Sequence, residues 1–361
     1  MYSRFGLVLM LNHSCNMRCD YCYVGRKFNR TMTPEIGMKA IDRAIASLEP
    51  GGKLELGFFG GEPLLEAGLI LDFIAHAESR ARAEGYELAL SMTTNGTISD
   101  GLAWDVLKHP KLMPAISHDG LPEVHNRHRR FANGRDSSDK VLATISKLLA
   151  SGKRFSVIMT VRPENVLQVP EGVVFLRDFG VARVHLTLDI WARWDAEDAR
   201  NLEETITRCG PIWRDGLPKK SLNWFGEKAI RIAGIPVDKC ARCLFGAGEI
   251  AVAPSGTLYP CERLIGEDTD DNPSRMEGHA LDGGDFLGYE PVPERSSEAC
   301  DKCAIRSACL TTCRCSNFVR TGNPARPDRL LCMFEQACFR ETVKMLESMG
   351  AEFKVPETCE V

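Results

Sequence analysis

The stretch Leu11–Gly25 reads LNHSCNMRCDYCYVG and places three cysteines, Cys15, Cys19 and Cys22, within one short segment. Thiolates are the protein ligands of iron–sulfur clusters, and a cubane cluster has four irons to ligate. Because the segment offers no fourth cysteine, it predicts a cluster with one open iron. A reactant can bind at such an iron. A tetrahedral zinc site with His13 as the fourth ligand is the alternative, since structural zinc sites close with four protein ligands.

The spacing of these cysteines, C-x3-C-x2-C, resembles the cluster-binding motif of the radical S-adenosylmethionine (SAM) enzymes. Tyr21 and Tyr23 beside the last cysteine favour this interpretation over zinc. The resemblance implies a 4Fe–4S cluster whose fourth iron takes the amino and carboxylate groups of SAM. It also implies that an electron from the cluster cleaves SAM to methionine and a 5′-deoxyadenosyl radical, which abstracts a hydrogen atom. Tyr21 would then be one of the SAM-binding residues.

Length and composition indicate a globular protein with one large domain and a small one. The protein has 361 residues, of which 44% are hydrophobic and 26% charged, so disorder is not expected over most of it. A net charge of −4 gives no reason to expect nucleic acid or a membrane surface as a partner. The apolar run 5–11 lacks a basic leader and a cleavage site, and it therefore predicts a buried strand instead of a signal peptide.

The fifteen cysteines are unevenly placed along the sequence. Three lie near its start, twelve lie from Cys209 onward, and none lies between Cys22 and Cys209. An odd number of cysteines in a long protein without a signal sequence argues against a disulfide framework. The distribution predicts metal clusters in a protein of the reducing cytoplasm.

The first half of the sequence alternates β-branched or apolar runs with amphipathic stretches. The predicted strands cover 5–11, 53–59, 87–94, 112–117, 155–161 and 184–190. The predicted helices cover 34–48, 65–82, 100–108, 137–150, 166–179 and 196–209, the first of them capped by Thr33. Six strand–helix units in a row predict an α/β fold with a parallel sheet, a partial (β/α)6 TIM-like barrel with its chemistry at the carboxyl ends of the strands.

Two glycine-containing motifs follow the second and third predicted strands. Gly60 and Gly61 let the backbone approach a ligand closely, and Glu62 places a carboxylate at the pocket floor. The segment FGGEPLL resembles the part of radical SAM enzymes that binds the SAM amino group through glycine carbonyls. Asn95 lies in a Thr-Asn-Gly segment that resembles another cofactor-binding segment of the same family.

A serine and a basic segment follow the fourth predicted strand. The family usually reads Ser-aliphatic-Asp-Gly at this point, so His118 is a departure. The resemblance implies that Ser117 contacts the SAM ribose and that a downstream arginine binds the SAM carboxylate. Arg129 is our choice, because an arginine fork matches a carboxylate, and Arg127 and Arg130 are close rivals. A solvated basic loop is the alternative.

The composition shifts near Gly234, after which Cys, Gly, Pro and Asp become frequent. A hairpin is predicted around Ser255 and is followed by Cys261. The spacings Gly-x4-Cys and C-x2-C-x5-C-x3-C resemble the SPASM domain, which extends radical SAM enzymes and binds two auxiliary 4Fe–4S clusters. The predicted domains are 1–234, a radical SAM partial barrel, and 235–361, a small Cys-rich α+β SPASM domain. Zinc ribbons are the alternative, and the x5 and x3 spacings argue against them.

The SPASM resemblance implies a ligand set for each auxiliary cluster. The nearer set consists of Cys240, Cys243, Cys261 and Cys313. The outer set consists of Cys300, Cys303, Cys309 and Cys332. Cys315 and Cys338 are additional and could replace Cys240 or Cys332. With the N-terminal loop, three 4Fe–4S clusters and SAM are the expected cofactors.

The two resemblances together imply an enzyme that modifies a peptide or protein and receives electrons from a donor such as flavodoxin or ferredoxin. Because the sequence begins at the first strand, we expect no leader-binding domain before it. This favours a layout like that of sulfatase maturases, or a peptide enzyme served by a detached leader-recognition protein. The sulfatase maturases usually have His where this protein has Phe59. We therefore predict a maturase of ribosomal peptides that forms an oxidative crosslink or a related modification at an unactivated C–H, with formylglycine formation as the alternative.

Glu262, directly after Cys261, is the predicted catalytic base. It resembles an Asp of the sulfatase maturases, and a carboxylate there can take the proton that leaves with a second electron. The alternative is a hairpin glutamate in an ion pair with Arg263 or Lys239. A non-catalytic iron–sulfur electron carrier is the hypothesis from another class, and it would have no use for the GGEP segment or for an open iron.

Overall fold

The computed structural model describes residues 1–235, 243–292, 298–310 and 313–350. Its strands are β1 (Tyr2–Met10), β2 (Leu48–Phe59), β3 (Glu87–Thr94), β4 (Leu112–Ser117), β5 (Ser156–Val161), β6 (Arg183–Leu188), β7 (Ser221–Leu222), β8 (Glu249–Val252) and β9 (Leu258–Tyr259). Its helices are α1 (Pro34–Ala46), α2 (Ala67–Glu84), α3 (Gly101–Lys108), α4 (Pro122–His128), α5 (Ser138–Ala150), α6 (Val169–Asp178), α7 (Ala196–Gly216), α8 (Asn223–Ile232), α9 (Glu298–Asp301), α10 (Arg314–Thr321) and α11 (Arg329–Ser348).

Two compact units divide the described residues. The first consists of Met1–Ser117, Asn126–Phe155 and Leu244–Val292. The second consists of His118–His125 and of the described residues within Ser156–Cys243 and Pro293–Val361. Each unit thus combines residues from both halves of the sequence. The domain division made from the sequence, 1–234 and 235–361, stays a prediction.

The first unit is built around strands in the order β4-β3-β2-β1-β8-β9. The strands β1 to β4 are parallel, and Leu7 of β1 is level with Leu56 of β2. Phe5, Leu7 and Leu9 are fully buried, as expected for a central strand of a parallel sheet. The segments that follow β1, β2, β3 and β4 therefore leave the sheet at the same edge.

The second unit contains the parallel strands β5, β6 and β7 and a layer of helices. The helices α7, α8 and α11 pack on one another through large aromatic side chains. Trp213 of α7 stacks on Phe225 of α8, and Trp224 meets Phe334 of α11 edge-on. This helical layer fixes α11, which carries Cys332.

The predicted α/β class, with strand–helix units followed by a Cys-rich region, is confirmed. The strands β3 and β4 cover the predicted residues, and the Thr33 hydroxyl accepts a hydrogen bond from the Ile36 amide at the start of α1. Helix α7 continues to Gly216, beyond the predicted end at 209, because its buried face continues through Trp213. Among the residues that the structure describes, no helix is long and apolar enough to cross a membrane.

The hairpin predicted around Ser255 is formed by β8 and β9, which run antiparallel. The sequence did not predict where this hairpin would go. It joins the free side of β1 in parallel, with Gly6 level with Glu249 and Leu9 level with Val252. The pairing brings Cys261 into the same compact unit as the three N-terminal cysteines.

Candidate active site

The segment Leu11–Gly25, named the cluster loop, holds three half-buried thiols, those of Cys15, Cys19 and Cys22. A tight turn follows Cys19, where the Cys22 amide donates to the Cys19 carbonyl. The Lys27 ammonium lies 3.0 Å from Cys22 Sγ, and the Met17 amide lies 3.4 Å from Cys15 Sγ. Donors around the sulfurs favour thiolate and are one means by which proteins tune iron–sulfur clusters. The thiols of this loop therefore fit the iron ligation predicted from their spacing.

Cys15 lies in a less polar environment than its position in a loop would suggest. Burial raises the pKa of its thiol, and the nearby Glu62 carboxylate acts in the same direction. The thiolate form of Cys15 therefore needs a compensating positive charge. Iron ligation would provide one.

His13, the fourth ligand of the zinc alternative, packs face to face on Phe28 with ring centroids 4.3 Å apart. The histidine is fully buried, and this burial lowers its pKa to about 4. Across the described ranges of the sequence, no three His, Cys, Asp or Glu side chains are grouped to hold one metal ion. Cluster ligands each bind a separate iron and need no such common point, so this arrangement does not favour zinc.

The glycine pair after β2 lies directly on the cluster loop. The amide of Gly61 donates to the carbonyl of Asn12 over 2.9 Å, and the amide of Glu62 donates to the carbonyl of Ser14 over 2.9 Å. A Cβ on Gly61 would lie 2.3 Å from the Ser14 carbonyl oxygen, and one on Gly60 would lie 2.8 Å from Asn12 Oδ1. These glycines thus approach the loop closely and leave no room for a larger residue. Their predicted approach to a ligand stays a prediction.

Glu62 is fully buried and uses its carboxylate to tie neighbouring turns together. It accepts hydrogen bonds from the Leu64 amide (3.0 Å), the Thr94 hydroxyl (2.7 Å) and the Asn95 amide (2.8 Å). Burial raises its pKa, and these hydrogen bonds oppose that shift. Glu62 therefore joins the end of β2 to the end of β3 and sets the position of Asn95.

Asn95 reaches the cluster loop through its side-chain amide. Its Nδ2 donates to Asn16 Oδ1 over 2.9 Å and lies 3.7 Å from Cys15 Sγ. Asn16 in turn donates to the Thr97 hydroxyl over 2.8 Å. The sequence motifs indicated Asn95 but not Asn16, whose side-chain partners, Asn95 and Thr97, lie about eighty residues away in the sequence.

The basic segment after α4 pairs with the cluster loop through its backbone. The Arg18 amide donates to the Arg130 carbonyl (2.8 Å), and the Asp20 amide donates to the His128 carbonyl (3.2 Å). The His128 imidazole adds a side-chain bond, with Nδ1 2.8 Å from Asp20 Oδ2. The segment thus lies alongside the cysteines that it follows by about a hundred residues.

Of the three candidate arginines, Arg129 is the one whose side chain lies against the cluster loop. Its guanidinium is buried and stacks over the Tyr21 ring, 5.1 Å from the centroid. Arg127 and Arg130 are exposed, and Arg130 donates to the carbonyl of Asn126. The structure therefore brings Arg129 and Tyr21, two predicted SAM-binding residues, into contact.

Ser117 ends β4 and is largely buried in the first unit. His118 begins a short segment of the second unit, where its ring stacks on His125 with centroids 4.2 Å apart. Its amide donates to the Ile158 carbonyl. The departure from the family pattern at His118 is therefore accommodated by packing within the second unit.

The outer set of cysteines is brought together in the second unit. Burial raises the pKa of Cys332 to about 11, and the nearby thiols of Cys300, Cys309 and Cys303 raise it further. Cys303 and Cys309 also pack against an apolar cluster, which consists of Ile305, Ala308, Phe339 and Val343. Four half-buried thiols whose charges interact fit the ligands of an iron–sulfur cluster.

The nearer set is distributed over both units, so its grouping rests on the sequence pattern. Cys261 belongs to the first unit, Cys243 and Cys313 belong to the second, and Cys240 lies outside the described residues. The buried Cys315 has its Sγ 3.3 Å from that of Cys313, which keeps it available as an alternative ligand.

Cys338, the other additional cysteine, is fully buried on α11. Burial raises the pKa of its thiol well above the usual value, and its charged neighbours include Lys228 and Glu335. Cys332, in contrast, shares its surroundings with three other members of the outer set. The structure thus associates Cys332 with that set.

Glu262 lies at the start of a 3-10 turn, Glu262–Leu264, with its Oε2 3.4 Å from Cys261 Sγ. Burial strongly raises the pKa of Tyr23, on which the charges of Arg263, Glu262, Cys261 and Cys22 also act. Tyr23, itself part of the cluster loop, therefore lies near the Cys261 turn. Lys239, one alternative partner of Glu262, lies outside the described residues.

Residues 10–176 match the sequence model of the Radical SAM superfamily. The protein therefore has a radical SAM domain, and members of this class bind a 4Fe–4S cluster and SAM. The matched range contains the cluster loop, the glycine pair, Asn95 and Arg129. The family predicted from the sequence is confirmed.

Relatives of known name belong to the same group of enzymes. The protein is 22% identical to the radical SAM cyclopropyl synthase TigE of Paramaledivibacter caminithermalis, in a match that covers 94% of this protein and 74% of TigE. It is 23% identical to the PqqA peptide cyclase of Gluconobacter oxydans, covering 90% of this protein and 89% of the cyclase. It is 22% identical to a cysteine-type anaerobic sulfatase-maturating enzyme of Clostridium novyi, covering 73% and 75% of the two proteins.

Solved structures share the fold over nearly the whole protein. Native anSMEcpe with bound AdoMet and Cp18Cys peptide has a TM-score of 0.77 at 17% identity, covering 95% of this protein and 98% of anSMEcpe. Streptococcus suis SuiB bound to its precursor peptide SuiA has a TM-score of 0.62 at 15% identity, covering 91% of this protein and 76% of SuiB. At these identities the likeness is one of fold.

Proposed function

We propose that this protein is a radical SAM peptide maturase that abstracts a hydrogen atom from an unactivated C–H bond of a substrate residue and forms an oxidative crosslink or a related modification. The observation that carries the proposal is the arrangement around the cluster loop. The glycine pair, Asn95 and the Arg129 segment all contact that loop directly. Three thiols alone would suit an electron carrier, whereas these additional contacts build a binding site for a ligand of the open iron.

The residues of this protein have separate roles in the proposal. Bound cluster and SAM would supply the reducing electron and the 5′-deoxyadenosyl radical that removes a substrate hydrogen. The carbonyls of Gly60 and Gly61 would accept from the SAM amino group, Arg129 would bind its carboxylate, and Ser117 would contact its ribose. Tyr21 and Asn95 complete the cofactor site, and Glu62 fixes the two turns that flank it. The main contribution of the protein is to hold the cofactor close to the substrate carbon in the orientation that the reaction needs.

The auxiliary clusters are proposed as acceptors of the second electron lost by the substrate. Their ligands are the nearer and outer sets of cysteines defined above, with Cys240 completing the nearer set. The proximity of Cys332 to Cys300, Cys303 and Cys309 supports the outer set. A flavodoxin or ferredoxin would deliver the first electron to the cluster loop, and a detached protein could present the leader of the peptide.

A peptide substrate is supported by the relatives. PqqA peptide cyclase is named for a ring-forming reaction on a peptide, TigE is named as a cyclopropyl synthase, and both matches cover at least 90% of this protein. The sulfatase-maturating enzyme of Clostridium novyi matches less of it, 73%. The names of the first two relatives support ring or crosslink formation as the first choice.

Formylglycine formation is the second candidate, and Glu262 is the observation that favours it. A carboxylate directly beside Cys261 would be placed to deprotonate a substrate thiol or hydroxyl. The same carboxylate would serve any oxidation that releases a proton with the second electron. Phe59, where sulfatase maturases usually have His, argues for the first candidate.

The decisive experiment incubates the anaerobically reconstituted protein with SAM, dithionite and the small peptide encoded beside its gene. A crosslink predicts 5′-deoxyadenosine together with a peptide that has lost hydrogen but no heavier atom. Formylglycine from cysteine predicts replacement of the sulfur by oxygen. Formylglycine from serine predicts the same mass loss as a crosslink but leaves an aldehyde that reacts with a hydrazide, which a crosslink does not. The triple variant Cys15→Ala/Cys19→Ala/Cys22→Ala should form no 5′-deoxyadenosine, and undiminished SAM cleavage in it would refute the radical SAM mechanism.

A further inference from the structure

A buried ion pair lies in the helical layer of the second unit. Lys228 of α8 has 1% of its side chain exposed, Glu335 of α11 has 6%, and Nζ lies 2.7 Å from Oε2. Removing two charges from water is costly, and apolar residues of similar size often stabilise such a position as well or better. Packing alone therefore does not account for this pair.

The pair lies beside the outer set of cysteines. Glu335 accepts a hydrogen bond from the Leu310 amide, and Leu310 directly follows Cys309. Glu335 also lies three residues after Cys332 on α11, on the same face of that helix. The charge of Lys228 interacts with the thiol of Cys309. Both members of the pair are thus connected to proposed ligands of the outer cluster.

The surroundings of this cluster would otherwise resist reduction. Cys303 and Cys309 are half-buried and pack against the apolar side chains of Ile305, Phe339 and Val343, which lower the polarity on that side of the proposed cluster. A one-electron reduction adds one negative charge to the cluster, and such a charge is disfavoured in a dry environment unless a cation lies nearby. Lys228 is a cation in that position.

We propose that Lys228 raises the reduction potential of the outer cluster and that Glu335 holds it in place. The inference rests on the proposed outer cluster. Lys228 contacts neither substrate nor SAM in this assignment, and it acts only through the electrostatic field at the cluster. Its role is to make the outer cluster a better electron acceptor than its apolar surroundings alone would allow.

The test is a redox titration of the reconstituted holoenzyme, reduced with dithionite and followed by electron paramagnetic resonance. The signal of the outer cluster is identified by its loss in Cys303→Ala. Lys228→Met removes the cation, and the midpoint potential of that signal should become more negative. Glu335→Gln keeps the shape and leaves the cation uncompensated, so the potential should become more positive. Shifts of opposite sign are not expected from a general disturbance of packing.

Arg340→Met is the matched control, because Arg340 lies on the same helix in an exposed ion pair with Glu203. Its removal should leave the potential unchanged, since solvent screens exposed charges. If Lys228→Met loses iron, Lys228→Gln removes the same charge but keeps a donor for Glu335, and its potential should also lie below that of the wild type. Unchanged potentials at full iron content would overturn the inference alone. A wild-type protein without auxiliary cluster signals would overturn the proposed outer cluster as well.

Discussion

His128 and Asp20 are joined by two hydrogen bonds, one between Nδ1 and Oδ2 and one between the Asp20 amide and the His128 carbonyl. Asp20 lies between Cys19 and Tyr21 in the cluster loop, and His128 directly precedes Arg129. The pair therefore connects the proposed carboxylate-binding arginine to the loop that would hold the cluster. This connection gives the histidine a positioning role that its place in a basic loop did not suggest.

We expect His128→Ala to weaken SAM binding on the order of tenfold, because Arg129 loses the neighbour that holds its backbone on the loop. A hydrogen bond to a charged group contributes about 1.5–3 kcal/mol, and tenfold in Kd corresponds to about 1.4 kcal/mol. Calorimetric titration of the reconstituted protein with SAM measures the change. Asp20→Asn retains an acceptor oxygen and should cause a smaller loss. An unaltered Kd in His128→Ala would show that the pair does not position Arg129.

Replacement of Arg129 should have a larger effect than that of His128. A bidentate, charge-assisted contact to a carboxylate is among the stronger polar interactions, so Arg129→Ala should raise the Kd of SAM by about ten- to a hundredfold at about 1.4 kcal/mol per decade. Arg129→Lys keeps the charge but loses the fork, and it should fall in between. Arg127→Ala and Arg130→Ala remove exposed side chains and serve as controls. A greater loss in either control would mean that a different arginine binds the carboxylate.

The glycine pair offers a test of stability that is separate from SAM binding. A methyl group on Gly61 would lie 2.3 Å from the Ser14 carbonyl oxygen, so Gly61→Ala must displace the cluster loop. Overpacking of this kind costs about 1–3 kcal/mol, and the variant should melt earlier and take up less iron in the N-terminal site. Gly226→Ala on α8 is the control, because its methyl group meets no atom within 4 Å. Normal melting and iron uptake in Gly61→Ala would contradict the tight contact.

The strands of this fold could be predicted well because their signals are local. The boundaries of β3 and β4 agree with the sequence, since apolar runs end at Asn95 and at Asp119 in recognisable turns. The pairing of β8 with β1 could not be predicted in the same way. It joins residues about 240 positions apart, and nothing in the short segment 249–252 specifies its neighbour.

In the candidate site, too, features of consecutive residues could be predicted from the sequence, whereas contacts between distant residues could not. The cysteine spacing and the glycine pair identified the site, because each is a property of a few consecutive residues. Arg129 was chosen from the sequence over Arg127 and Arg130, and the structure adds that its guanidinium faces Tyr21 because of the backbone pairing with the cluster loop. Its role toward SAM stays a prediction. The role of Asn16 was missed because its partner, Thr97, lies far away in the sequence.

Glu262 provides a test of the chemistry that follows SAM cleavage. Glu262→Gln keeps the shape of the residue and removes its basicity, so SAM cleavage should continue while product formation stops. The measurement compares 5′-deoxyadenosine with modified peptide in the same reaction. Glu267→Gln is a suitable control, since this nearby carboxylate is occupied by an ion pair with Arg26. Product at the normal rate in Glu262→Gln would make Glu262 a structural residue of the turn.

The iron content tests the proposed cofactor set as a whole. Three clusters of four irons predict about twelve irons per protein molecule after anaerobic reconstitution, with no stoichiometric zinc. The triple variant of the cluster loop should retain about eight of these irons, because the C-terminal thiols are unchanged. About four irons together with bound zinc in the intact protein would instead indicate a zinc fold in the C-terminal region.

Cys240 decides how the nearer cluster is completed. If Cys240 is its fourth ligand, Cys240→Ala should lower the iron content or make that cluster labile on dilution, whereas Cys209→Ala should have no effect. Cys209 is a fitting control because it is fully buried on α7 and belongs to neither ligand set. If Cys240→Ala retains all of its iron, the double variant Cys240→Ala/Cys315→Ala identifies the replacement, since Cys315 lies 3.3 Å from Cys313. Full iron content in this variant and in Cys240→Ala/Cys338→Ala would leave an open iron in the nearer cluster, and the substrate could then bind there directly through a thiol.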